Sequence, residues 1–269
     1  FDGTGTSVLT LGAAQSVASL TSAGAATVTL GANTLTVGTS TGSTTLAGII
    51  GGTGGLIKDG ASTQALTGAN TYTGATTVSA GILNLRNATG LGTAAGGTTV
   101  SNGATLQLQD GITVGAEALS LNGGAASGQT GALVNVSGTN TYGGAVTVTS
   151  SSSISAASGS VLNLTGGVVK NGTVATFNGG GTINVNTVAI SGSSANSDLV
   201  IDGTTVNVGV ASTYNGPTFI RNNGTLPDVG DAEGWRLRID GEVETDLAAV
   251  YQRFPRLKER HKQLAGTLS

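Results

Sequence analysis

Residues 66–85 read Leu-Thr-Gly-Ala-Asn-Thr-Tyr-Thr-Gly-Ala-Thr-Thr-Val-Ser-Ala-Gly-Ile-Leu-Asn-Leu, and both halves of this segment recur along the chain. The Ala-Asn-Thr-Tyr-Thr-Gly phrase at 69–74 returns in similar form at 139–144 and at 211–216. Its three tyrosines are 70 and 72 residues apart. The residues singled out as repeat or turn positions are Asn70, Tyr72, Gly74, Asn140, Tyr142, Gly144, Tyr214 and Gly216.

The second half of the segment repeats at a shorter interval. Thr76-Thr77-Val78 recurs 22 residues later at 98–100, and a Leu-x-Leu follows each copy, at 83–85 and at 106–108. Short units that cannot bury a core alone do so by stacking on one another. A period of 22 residues is about one coil of a β-helix, so the tyrosines are expected about three coils apart. The pattern predicts a β-solenoid of about ten coils.

The composition favours the same all-β class. Gly accounts for 46 of 269 residues, Pro for 3, aromatic residues for 3% and charged residues for 9%. Low charge with 38% hydrophobic residues is the opposite of the signature of disorder, so the chain is expected to fold. Short alternations such as Thr27–Leu30 and Thr34–Val37 predict strands. Few aromatics suit a solenoid with a narrow interior, and the absence of cysteine favours export.

A change in charge predicts two regions, 1–226 and 227–269. The first holds six carboxylates and four cations, and the last 43 residues hold the other eight and seven. Within the second region, alternation around Asp240-Gly241 predicts a hairpin, and an apolar face over 245–264 predicts a helix. The region is therefore expected to be a small α/β C-terminal appendage. It could be a cap, a docking module, a linker or an adventitious extension.

The ends of a solenoid expose open β-edges that must be covered. One hypothesis is that the N-terminal coil of one molecule meets the C-terminal region of the next, because heterologous contacts that do not close produce filaments. The residues assigned to this contact are Phe1, Trp235, Tyr251 and Phe254.

The inventory of reactive groups disfavours an enzyme. The single histidine, His261, lies in the charged C-terminal region, far from a serine-based nucleophile arrangement. Carboxylate pairs for polysaccharide cleavage remain open, with Asp198/Asp202 and Asp110/Glu117 closest in sequence. No metal-ligand pattern or nucleotide loop is found, so no catalytic residue, cofactor or metal is predicted.

Charge and hydropathy also limit the partners. The net charge of −3 gives no basic face for nucleic acid. No run reaches the eighteen or so apolar residues of a spanning helix, so this segment is not expected to insert into a membrane.

Three features of the repeats carry alternative interpretations. The tyrosines could form an aromatic track that stacks on sugars, but a ring packed over the coil with a solvated hydroxyl is the simpler expectation. Asn70 and Asn140 are expected at corners, where their amides satisfy backbone groups. Thr-x-Thr pairs such as Thr27/Thr29 could suggest ice binding, but their spacing is irregular, and outward Thr on strands is the simpler account.

Residues 52–58, 66–74 and 76–85 resemble the passenger-associated transport repeat of bacterial autotransporters, and the likeness extends over about 24–110. The resemblance implies a right-handed parallel β-helix at the cell surface or outside the cell, in proteins that mostly act as adhesins, matrix formers or stalks. It implies no catalytic residues. We therefore expect a non-enzymatic structural or adhesive element that contacts surface glycans or proteins, with end-to-end self-association as a hypothesis and a carbohydrate-binding module as the alternative.

Overall fold

The computed structural model describes residues 7–38, 42–192, 198–209, 213–214 and 218–221, which form strands and turns and contain no helix. In chain order the strands are β1 (Val8–Thr10), β2 (Gln15–Val17), β3 (Thr27–Thr29), β4 (Leu35–Val37), β5 (Thr44–Leu46), β6 (Ile49–Gly51), β7 (Leu56–Lys58), β8 (Thr63–Leu66), β9 (Thr76–Val78), β10 (Gly81–Leu85), β11 (Thr98–Ser101), β12 (Ala104–Leu108), β13 (Thr113–Val114), β14 (Leu119–Asn122), β15 (Leu133–Asn135), β16 (Thr139–Tyr142), β17 (Val146–Ser150), β18 (Ser152–Ala156), β19 (Val161–Leu164), β20 (Val168–Lys170), β21 (Ala175–Asn178), β22 (Thr182–Val185), β23 (Ile190–Gly192), β24 (Leu199–Asp202), β25 (Thr205–Val208), β26 (Thr213–Tyr214) and β27 (Thr218–Arg221).

These strands stack in four parallel sheets, each strand pairing with its counterpart in the next coil. Sheet I has ten strands, in the order β2-β4-β7-β9-β11-β14-β17-β20-β23-β26. Sheet II has nine, β5-β8-β10-β12-β15-β18-β21-β24-β27. Sheet III (β1-β3-β6) and sheet IV (β13-β16-β19-β22-β25) both contribute the strand that precedes sheet I in a coil. From β2 to β26 the chain makes about nine turns, so it is an all-β parallel β-solenoid.

The 22-residue period of the sequence is one coil of this solenoid. Thr76, Thr77 and Val78 pair in register with residues 98–100. Leu83 and Leu85 pair with Leu106 and Leu108 in the same way. The interpretation of the recurring Thr-Thr-Val and Leu-x-Leu as equivalent positions of successive coils is confirmed.

The interior consists mainly of aliphatic columns that run through the coils. One column in sheet II places Leu46, Leu66, Leu85 and Leu108 in register, and all four are buried. Each buried leucine contributes about 1.5–3 kcal/mol relative to an exposed one. A stack of short strands thereby obtains a continuous core without large aromatic residues.

A column of glycines forms the corner before each strand of sheet I. The register of sheet I, extended two residues back, aligns these positions in successive coils. A Cβ atom on any of the glycines would overlap backbone of the preceding coil. The column therefore requires glycine because of close backbone approach. Its members are Asn33, Gly54, Gly74, Gly96, Glu117, Gly144 and Gly166, and Glu117 interrupts it.

The third tyrosine phrase does not hold the position that its spacing predicted. Leu119 pairs with Val146, 27 residues later, because the connection 123–132 lengthens that coil. The three following coils have no such insertion, so the position equivalent to Tyr142 is Val208 in β25. Tyr214 instead lies in sheet I, paired with Gly192. Its phrase matches by composition and not by register.

Several predictions fall outside the described residues. The chain divides into units Phe1–Gly224 and Thr225–Ser269. The predicted boundary near 226, the appendage at 227–269, its hairpin and helix, and the assembly residues Phe1, Trp235, Tyr251 and Phe254 lie outside the described part, as does Gly216. The right-handed sense of the coil stays a prediction.

Candidate functional site

The tyrosines of the first two phrases belong to the interior. Tyr72 and Tyr142 are completely buried, three coils apart, so the expected solvated hydroxyls are not found. Gly92 lies over Tyr72, and a Cβ at Gly92 would contact the ring at 3.0 Å, so the glycine makes room for it. Buried rings cannot stack on sugars. The aromatic track proposed from the sequence is therefore absent at these two positions.

The two asparagines of the phrases connect neighbouring coils. Asn70 Oδ1 accepts a hydrogen bond from Ile50 N at 2.9 Å, and its Nδ2 donates to Gly90 O at 2.7 Å. Asn140 Oδ1 accepts from Ile112 N at 2.7 Å, and its Nδ2 donates to Asn135 Oδ1 and Ser137 O. Each amide satisfies backbone groups that a coil corner would otherwise leave unpaired. The structure gives these residues a structural role.

A polar cluster lies inside the solenoid beside the glycine column. Tyr72 Oη and Thr76 Oγ1 share a hydrogen bond of 2.6 Å, and Thr98 Oγ1 donates to Glu117 Oε1 at 3.0 Å. Thr76 and Thr98 are stacked neighbours in sheet I. Tyr142 Oη is buried without a hydrogen-bond partner. We call these five residues the interior polar cluster.

Burial changes the ionisation of the interior polar cluster. Desolvation raises the pKa of Glu117, and the hydrogen bond from Thr98 opposes this only in part. The pKa of Tyr72 and that of Tyr142 are also raised, first by desolvation, and the charge of Glu117 adds to both effects. The cluster therefore favours neutral side chains.

Two lysines are fully buried where strands of sheet I end. Lys58 Nζ donates to the carbonyl oxygens of Asp59 at 2.7 Å, Gly60 at 2.8 Å and Ala80 at 3.1 Å. Lys170 has the corresponding place at the end of β20 and is equally buried. Desolvation lowers the pKa of each lysine from 10.5 to about 8, against the attraction of Asp59 and Asp198 respectively.

The carboxylate pairs considered for polysaccharide cleavage do not form catalytic arrangements. Asp110 is half-exposed and lies 3.8 Å from Arg86 Nε, whereas Glu117 is buried in the interior polar cluster. Asp198 and Asp202 are separated by four extended residues, or about 13 Å along the strand. Glycosidase carboxylates lie about 5–9.5 Å apart. Neither pair supports that chemistry.

The outer surface of sheet IV carries a row of linked polar side chains. Asn163 Nδ2 donates to Thr141 Oγ1 at 3.3 Å, Asn184 Nδ2 to Asn163 Oδ1 at 2.7 Å, and Asn207 Nδ2 to Asn184 Oδ1 at 2.7 Å. We call these four residues the amide ladder. Beside it, a second outward column places Thr139, Val161, Thr182 and Thr205 in register.

A longer outward column runs along sheet I. Its ten positions are in register from strand to strand and are all hydroxyl-bearing or β-branched. They are Ser16, Thr36, Ile57, Thr77, Thr99, Ser120, Thr147, Val169, Ser191 and Thr213.

The outer surface of sheet II is partly covered by the connection 123–132. Gln107 Nε2 donates to Gln129 Oε1 at 2.7 Å, and Thr130 Oγ1 donates to Ser155 Oγ at 2.8 Å. Thr105 Oγ1 donates to Gly131 O at 2.9 Å and is fully buried. This sheet therefore offers less open surface than sheets I and IV.

Charge is scarce on this surface. Up to residue 209 the described chain has eight charged residues, of which Lys58, Glu117 and Lys170 are buried. The outward columns consist instead of hydroxyl, amide and small aliphatic groups. Contacts made by such a surface depend on hydrogen bonding and shape more than on charge.

The fold defines this chain as a parallel β-solenoid of a repeat protein. Residues 56–85, from β7 to β10, match the family model of the passenger-associated-transport-repeat, which confirms the resemblance seen in the sequence. No curated protein and no solved structure matches the chain. The matched repeat and the solenoid together support a surface passenger domain of an autotransporter, a class of secreted or cell-surface proteins. Among the described residues, no helix has the length and apolar character needed to cross a membrane.

Sequence reasoning did not identify the buried ionisable residues. The alternation in Leu56-Ile57-Lys58 and Val168-Val169-Lys170 places both lysines inward, and this signal was available. Glu117 gave no comparable signal, because its place in the glycine column is evident only from the register of sheet I.

Proposed function

We propose that this chain is an extracellular structural and adhesive segment of a bacterial surface protein, without enzymatic activity. The observation that carries the proposal is the amide ladder with its neighbouring column, a regular and nearly uncharged surface built on a stacked scaffold. Positions of this kind repeat every 4.8 Å or so. Many weak identical contacts then add by avidity when several chains are displayed together.

The amide ladder is ordered before any partner binds. Each Asn is held by a hydrogen bond to its neighbour, so less side-chain entropy is lost on contact. Each amide retains a second N–H and a further lone pair for a partner. Hydroxyl-rich glycans and polar protein surfaces have matching donors and acceptors, and these are the partners that the proposal includes.

Attachment of coated beads tests the adhesive role. Beads carrying the full chain are applied to surfaces coated with polysaccharides, with proteins or with the chain itself. Asn184→Asp places a carboxylate in the ladder, and Asn171→Asp adds the same charge at an exposed position away from it. We expect attachment to at least one surface, reduced several-fold by the first substitution and unchanged by the second. Absence of attachment to every surface, or equal attachment by both variants, contradicts the proposal.

End-to-end assembly is a separate part of the proposal. The abrupt change of composition near residue 226 supports a contact that involves Trp235. Negative-stain electron microscopy of the full chain is expected to show filaments, and Trp235→Ser is expected to shorten or abolish them. Single particles at high concentration from both forms would remove assembly from the proposed function while leaving the adhesive role open.

A further inference from the structure

Glu117 is an acidic side chain where the fold provides little to stabilise a charge. It is only 3% exposed, and it occupies a position that is glycine in five other coils of the column. Its hydrogen-bond donor is the neutral hydroxyl of Thr98. The lysines of the described chain are engaged elsewhere: Lys58 binds backbone carbonyls, and Lys170 is coupled to Asp198.

The groups around Glu117 also favour its neutral form. The titratable side chains coupled to it are Tyr72 and Tyr142, whose phenols are buried and uncharged at neutral pH. Tyr142 Oη has no hydrogen-bond partner. A protonated carboxyl has an O–H donor that a carboxylate lacks, and an ionised one would place an uncompensated charge between two buried phenols.

We propose that the folded solenoid holds Glu117 as a neutral carboxylic acid, so that folding takes up one proton at this residue. The fold then acts as a pH-sensitive device. The native state binds a proton that the unfolded state has lost above its ordinary value of 4.5. Acidic surroundings therefore favour folding, and stability declines as the pH rises from 4.5 toward the value of the folded state.

The magnitude follows from linkage. In the window where only the folded state holds the proton, the folding equilibrium constant falls by about tenfold for each pH unit. Other ionisable groups add their own slopes. The inference is therefore tested on the difference between the wild-type chain and a variant that cannot titrate at this position.

The test is urea unfolding of the full chain across about pH 5 to pH 8. Glu117→Gln has nearly the same shape and mimics the protonated form, so we expect it to lose the decline contributed by this site. Asp110→Asn removes an exposed carboxylate and is expected to keep the wild-type profile. A wild-type slope in Glu117→Gln would overturn the proposal.

A second measurement covers the case in which Glu117→Gln does not fold. The side-chain carboxyl carbon of Glu117 is followed by NMR in the wild-type chain during a pH titration. A midpoint clearly above 4.5 supports the proposal, and a midpoint at or below 4.5 overturns it.

Discussion

Substitution of Gly144 by alanine tests the glycine column at one atom. The new Cβ would lie 2.9 Å from Glu117 N and closer still to the carbonyl group of Glu117. Ordinary van der Waals contact begins near 3.4 Å, and the obstacle is backbone that cannot rotate away. The two coils must therefore separate locally, by about 1 Å on a strand spacing of about 4.8 Å.

This separation breaks hydrogen bonds on both sides of the glycine. Gly143 N donates to Val114 O at 2.9 Å, and Leu119 N donates to Ala145 O at 2.9 Å. An added 1 Å takes both beyond the range of a hydrogen bond. Two to four such bonds at about 1 kcal/mol each, with lost packing, predict a destabilisation of about 3–4 kcal/mol.

Urea unfolding followed by far-UV circular dichroism measures the effect. Gly115→Ala is the matched control, because Gly115 lies two residues from Glu117, has open space around its Cβ position and needs no positive φ. We expect this control to stay within about 0.5 kcal/mol of the wild-type chain. Equal midpoints for Gly144→Ala and Gly115→Ala would refute the close stacking of coils at this corner.

Three further predictions concern buried polar groups and are checked by the same unfolding assay. Tyr142→Phe removes an unpartnered buried hydroxyl and should be neutral or stabilising by about 1 kcal/mol, whereas Tyr72→Phe breaks the bond to Thr76 and should cost about 1 kcal/mol; the reverse order would contradict the structure. Asn70→Ala removes two bonds between coils and should cost about 2–4 kcal/mol, so an unchanged midpoint would exclude its bridging role. Between about pH 8 and 10.5 the folded state holds fewer protons on Lys58 than the unfolded state, so stability should rise with pH in that window, and Lys58→Met should reduce the rise; an unaltered rise would show that Lys58 is not buried as described.

The repeats made the parallel stacking predictable from sequence. Strands of three to five residues are too short to be specified individually, but a Thr-Thr-Val that returns after one coil fixes both the period and the register. The role of Asn70 followed from its place before a turn. Tyr72 was harder, because an isolated Tyr beside a turn usually keeps its hydroxyl in solvent, and only the full coil shows Thr76 as its partner.

Register explains the predictions that failed. The phrase around Tyr214 resembles its predecessors in composition, but hydrogen bonding between coils assigns Val208 to the column of Tyr142. The 27-residue coil that contains the connection 123–132 had concealed this difference. Glu117 is similar, because no local pattern distinguishes an acid that turns inward at a corner from one on the surface.

Cross-linking of engineered cysteines tests the parallel, in-register solenoid most directly. The natural chain has no cysteine, so each double variant contains one defined pair. Thr77 and Thr99 are outward neighbours in adjacent coils, about 4.8 Å apart, whereas Thr77 and Ser120 are two coils and about 9.6 Å apart. With a thiol cross-linker that spans one strand spacing, peptide mapping should find an intramolecular link in Thr77→Cys/Thr99→Cys and none in Thr77→Cys/Ser120→Cys. Equal linking of both pairs, or none in the first, would contradict the stacking from which every conclusion about this chain is built.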